Sequence, residues 1–305
     1  MVDADIWTAS HTAKSEADTY ARSALNDWMD KVRKRTEDDF IPWYTSFGTQ
    51  QWLSIKVGWY EMNEPEGKAT AAERLAEYLQ EQYYERVLEP IAPQIDPQKI
   101  LKRTVALYVG SLAAKLRDLP GRYDLPADTF RDRLESIQAI DVYTVPRQRA
   151  SLYQIVEAQN PTDVPAYAAL LALVQPDDKG LGSGLSRNRF YPVARSSAEK
   201  LVDQMAIRGG AGVAGLALGG VAGILISIGI SGWQAVEHEK DKPVLEAELR
   251  SNLSAALDGM WYYLTKDPHG AVTVPVEHMS SQIENGLLSV QVQTQQPHRY
   301  SEDVF

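Results

Sequence analysis

The chain has 305 residues, 44% hydrophobic and 24% charged, enough for one large folded domain or two ordinary ones. Its net charge of −10 argues against nucleic acid as the main partner, because phosphate binding needs a basic surface. With no cysteine, disulfides, thiolate nucleophiles and cysteine-held zinc or iron–sulfur centres are excluded.

The opening Met1-Val2-Asp3-Ala4-Asp5-Ile6-Trp7 is acidic and lacks the basic and apolar regions of a secretion signal. Across residues 9–40, Ala13, Ala17, Tyr20, Ala24, Leu25, Trp28 and Val32 recur at steps of three and four, which predicts an amphipathic helix. The basic run Lys31 to Arg35 is followed at once by Glu37-Asp38-Asp39, the pattern of a solvated face carrying i,i+4 pairs. Residues 40–60 gather Phe40, Trp43, Tyr44, Phe47, Trp52, Trp59 and Tyr60, with Pro42, Gly48 and Gly58 as punctuation. Such a cluster suits a bundle core, the reading placed first. It also suits a membrane interface, with Trp43, Trp52 and Trp59 as anchors.

Glu64-Pro65-Glu66-Gly67 marks a turn, and residues 69–90 predict a helix with Ala72, Leu75, Ala76, Leu79, Tyr83 and Val87 on one stripe. Pro90 and Pro93 end it, and Asp96-Pro97 opens another reaching about Leu119. Pro126-Ala127-Asp128 starts a short helix to about Ile137. Residues 139–165 read as irregular, with a short helix at 150–157, and a further short helix covers 165–174. The glycine-rich run from Pro176 to Gly184 is the clearest loop and the natural boundary. It divides an N-terminal helical region, 1–176, from a C-terminal one, 185–290, followed by a polar tail, 291–305, expected to be disordered.

In the C-terminal region a helical stretch begins near Pro192 and enters an uncharged segment, Gly209 to Val236, bounded by Arg208 and Glu237. A helix of that length spans roughly 42 Å, more than a bilayer's hydrocarbon core. Within it Ala211, Gly215, Gly219, Gly223, Ser227 and Ser231 follow at steps of four and would form one smooth face, the glycine-zipper pattern of closely packed helices. The segment's nine glycines cost a helix in water about 9 kcal/mol relative to alanine, so lipid or tertiary contact must offset them. Trp233, beside the charged run that starts at Glu237, fits an interfacial anchor. Pro243 is expected at a second helix start, with Leu245, Leu249, Leu253, Leu257, Trp261 and Leu264 on one face as far as residue 264. Asp267-Pro268-His269-Gly270 reads as a turn, 271–276 as extended, and 279–288 as a short helix.

Catalytic motifs are weak. Gly210-x-Gly212-x-x-Gly215 matches a dinucleotide fingerprint but follows a predicted helix, where a strand is required. Gly180-x-Gly182-x-Gly184 lacks the Lys-Ser/Thr ending of a phosphate-binding loop. His11, His238, His269, His278 and His298 form no zinc-protease pair. No cofactor or metal is therefore expected.

The sequence thus predicts an all-α, multi-helix bundle around a long glycine-rich apolar helix, with minor extended segments. The expected role is non-catalytic assembly or binding at a membrane or cell envelope, periplasm included, through the zipper helix. Its partner would be lipid or another helix, a second copy included. The competing reading is a cytoplasmic enzyme or ligand-binding scaffold with the glycine helix as its core. An enzyme would draw Arg195, Glu199, His238 and Glu239 into one polar cleft.

Overall fold

The computed structural model describes residues 2–62, 71–174 and 238–294. Over these the fold is an all-α, multi-helix one, with a single two-stranded hairpin. The described residues divide into two compact units, each discontinuous in sequence. One holds residues 2–25, 97–174 and 264–294; the other holds 26–62, 71–96 and 238–263. The linker at 177–184, on which the sequence division rests, lies outside the described residues, as does the 295–305 part of the tail.

Helix α1, Val2–Arg35, contributes to both units. In the first unit its buried face is small: Ala9, Ala13, Ala17 and Ala21 follow at steps of four. Methyl side chains in a row let neighbouring backbones approach. Ala9, Ala13 and Ala17 pack into one core with α5 (Pro97–Arg117), α7 (Ala127–Ser136), α9 (Pro165–Ala172) and α11 (Val274–Thr294), through residues such as Tyr108, Leu112, Leu134, Leu170, Met279 and Ile283. Between α5 and α7 lies the short α6, Leu119–Tyr123. A buried hydroxyl group joins three helices: Ser10 Oγ lies 2.8 Å from Tyr108 Oη and 3.3 Å from Ser280 Oγ. Buried hydroxyls need such partners, because an unpaired one costs about 1–3 kcal/mol. At the start of α1, Asp3 receives a two-pronged pair from Arg133 at 2.9 and 2.8 Å, and Asp5 accepts from Arg122 and Tyr123.

The hairpin corrects the irregular reading of 139–165. Strands β1 (Gln138–Val142) and β2 (Gln148–Ser151) pair antiparallel, with Ile140 opposite Ala150 and a register irregularity between Gln138 and Ile140. Ser151 then caps α8, Leu152–Val156, in a reciprocal capping box with Gln154. The expected extended segment at 271–276 is also corrected. Only its start is non-helical, because Pro275 sits in the first turn of α11, where its missing N–H costs nothing. Helix α11 runs on to Thr294, taking in the first residues of the predicted tail, and crosses the start of β1 closely: a Cβ on Gly286 would lie 3.3 Å from Cγ2 of Ile137, just before the strand, and 3.6 Å from the Gln138 nitrogen.

In the second unit, α1 passes into a wider π-helical turn, Thr36–Phe40, followed by α2 (Ile41–Thr45) and α3 (Phe47–Met62). Helix α4, Ala71–Tyr83, ends in a second π-helical turn, Tyr84–Leu88. The two wide turns pack against each other. Thr36 Oγ1 lies 2.8 Å from Tyr83 Oη, Phe40 meets the Tyr83 ring edge-on at 5.0 Å, and Arg35 donates to the Arg86 carbonyl at 3.0 Å. Helix α10, His238–Lys266, contributes Leu249, Leu253, Leu257 and Met260 as its buried face in this unit. Pro243 lies inside α10 and does not start it.

Two outcomes follow from this packing. Ala13→Leu inserts three carbon atoms at a fully buried position and should lower stability by about 1–3 kcal/mol in urea unfolding. Burial pushes the hydroxyls of Tyr108 and Tyr167 up to about 12, from an ordinary 10.0. Between those values the unfolded chain releases protons that the folded chain keeps, so stability is full below pH 10 and falls as pH rises toward 12. The urea midpoint should drop across that window, and less steeply in Tyr108→Phe.

Candidate functional site

Helix α3 is set up by Ser46, whose extended backbone ends α2. The Ser46 hydroxyl accepts from the Thr49 N–H at 3.3 Å, and its carbonyl accepts from the Gln50 N–H at 3.0 Å. Ser46 therefore fixes the helical phase of everything that follows. Gln50, Leu53 and Val57 turn inward and are buried. On the other side Trp52, Ile55, Trp59 and Met62 follow at steps of three, four and three. Their exposures are 51%, 62%, 59% and 87%. At about 100° per residue they fall within a stripe roughly 80° wide, nearly opposite the buried face. Phe47, at the start of the helix, is also exposed.

Beside this stripe, three aromatic rings surround one ammonium. Lys56 Nζ lies 3.8 Å from the Tyr78 ring centroid, 5.6 Å from that of Tyr60 and 5.8 Å from that of Trp52. Trp52, Lys56 and Tyr60 are one turn apart on α3, whereas Tyr78 comes from α4. Arg74 lies 5.8 Å from the Tyr60 centroid. Trp43 belongs elsewhere: it is half-buried against Phe40, with the Arg86 guanidinium 4.4 Å over its ring.

The first unit carries a different polar cluster. The Asp141 carboxylate takes Arg147 through both of its oxygens, and Arg149 at 3.3 Å. These arginines hold it below the usual carboxylate range. The Arg147 guanidinium stacks 3.9 Å over Tyr143. His278 Nε2 accepts the Asp141 N–H at 3.4 Å, and burial pulls this imidazole below its ordinary value against the opposing pull of the Asp141 charge. This is a brace for the hairpin: Asp141, Arg147 and Arg149 are engaged with one another.

Of the anchors named from sequence, Trp52 and Trp59 lie on the exposed stripe and Trp43 does not. Ala211, Gly215, Gly219, Gly223, Ser227, Ser231 and Trp233 lie outside the described residues. So do Arg195, Glu199 and the side chains of His238 and Glu239, so the polar cleft of an enzyme has no described counterpart. Among the described residues, no helix is long and apolar enough to cross a membrane, and no cluster of three or more His, Asp or Glu is placed to hold a metal ion. Sequence reasoning missed Ile55, Met62, Lys56 and Tyr78. The 3-4-3 spacing from Trp52 to Met62 was available as a signal for the stripe, whereas Tyr78 depends on how α4 packs. No known protein family, characterised relative or solved structure matches this chain.

Proposed function

We propose that this is a non-catalytic, membrane-associated helical protein of the cell envelope that docks on a lipid surface through α3. The observation carrying this reading is the exposed stripe of Trp52, Ile55, Trp59 and Met62. Single exposed apolar residues need no explanation, but four aligned on one helix form a patch on the order of 500 Å², the size associated with binding sites. Tryptophan is the side chain best suited to the boundary between headgroups and acyl chains. Helix α3 carries one lysine and one glutamate over its length, so it has no net charge opposing contact with a bilayer.

Burying half the stripe contributes about 6 kcal/mol, comparable to the lower end of the freedom lost on association. Docking by α3 alone is therefore weak and reversible. The uncharged Gly209 to Val236 segment supplies a second apolar element, and two such signals together make stable anchoring. The small-residue row Ala211, Gly215, Gly219, Gly223, Ser227 and Ser231 fits close helix packing within the bilayer.

Flotation of the full chain with vesicles containing brominated acyl chains tests this. The protein should float, with its tryptophan emission quenched. Trp52→Ser combined with Trp59→Ser should weaken partitioning at least about tenfold while leaving the helical circular dichroism unchanged. Protein that stays at the bottom of the gradient with unquenched emission would sink the reading. Concentration-dependent oligomers lost in the same double variant would show that a second copy covers the stripe.

A further inference from the structure

The aromatic cluster beside the stripe is a cation site that the chain fills with its own lysine. No carboxylate of the described residues pairs with Lys56 or Arg74. The Lys56 ammonium is held by ring faces and by one hydrogen bond, 3.4 Å to Tyr60 Oη. An ammonium is strongly hydrated and loses much of that hydration among rings, whereas a trimethylammonium carries little and gains more from the same surfaces. The occupant is also tethered by a flexible four-carbon stem, so it can leave without leaving the neighbourhood.

We propose that Trp52, Tyr60 and Tyr78 form a cage for the trimethylammonium of a phosphocholine headgroup, with Lys56 swinging out to pair, together with Arg74, with the adjoining phosphate. This rests on the membrane reading and names the lipid class. Charge decides between possible trimethylammonium ligands. Lys56 and Arg74 already place two positive charges here. A methylated lysine on a protein would add a third and bring no anion of its own. Phosphocholine brings its own anion close to the cation, beside Lys56 and Arg74, which have no carboxylate partner among the described residues. The position agrees as well: Trp52 belongs both to the stripe that would enter the acyl boundary and to the wall of the cage, which puts the cage at headgroup depth.

The test uses calorimetric titration of the full chain with soluble probes, so that it does not depend on membrane insertion. Phosphocholine should bind at least about tenfold more tightly than phosphoethanolamine. Tyr78→Leu should abolish that preference. Arg74→Gln should weaken phosphocholine binding and leave tetramethylammonium binding unchanged. Lys56→Met should strengthen tetramethylammonium binding about tenfold, because the tethered competitor is gone. That gain separates ligand recognition from a purely structural role, since a damaged fold would not bind better. Equal binding of phosphocholine and phosphoethanolamine overturns the cage, as does binding of neither. If the protein still floats with vesicles in either case, the membrane reading survives without it. Tighter binding of a trimethyllysine peptide than of phosphocholine overturns the lipid assignment in favour of a protein partner. Preferential phosphocholine binding without vesicle flotation upholds the cage and removes the membrane reading.

Discussion

A helix packed against a protein on one side hides only that side, and α3 has more apolar surface than one side can hold. Leu53 and Val57 take the interior. The 3.6-residue repeat then forces Trp52, Ile55, Trp59 and Met62 to the opposite face. No choice of rotamer returns them to the core, because their Cα positions already point away. Lys56 and Tyr60 flank the stripe, where a long stem and a ring can lie along neighbouring aromatic surface while their polar ends stay near water. The stripe and the aromatic cluster are thus two results of one helical phase, set at Ser46.

The fold was legible where side-chain period and backbone punctuation agreed. α5 starts at Pro97 and α9 at Pro165, as a proline suited to a first turn requires. α7 starts at Ala127, immediately after Pro126. The hairpin was not legible, because β1 carries three buried residues in five and β2 presents mainly polar ones, so neither shows a clean alternation. Val274-Pro275-Val276 has the composition of a strand, yet it opens α11, because β-branched residues are tolerated in a helix that packs deeply. The wide turns after α1 and α4 leave no mark in composition. The first is held by Tyr83 at the end of α4, which Thr36 and Phe40 meet from 47 and 43 residues away.

The candidate site was half legible for the same reason. Counting aromatics in 40–60 finds a cluster but cannot sort it. Phase sorts it: Phe40 and Tyr44 are interior, Trp43 is held by Arg86, and Trp52 and Trp59 are outside. The contribution of Tyr78 depends on the pairing of α3 with α4, which only tertiary packing supplies.

The interleaving of the two units has a consequence for how the chain is made. The core that contains Ala13, Tyr108 and Leu134 is finished by Val276, Met279 and Ile283 of α11, and α11 is synthesised after every other described element. During translation the faces of α1 and α5 that α11 covers stay open until the chain beyond residue 283 has left the ribosome. Long-range closure of this kind slows folding and lengthens exposure to aggregation. A gene fragment that stops short of residue 264 therefore yields a product whose alanine-lined groove has no lid, and insolubility of such a fragment would say nothing about the intact molecule.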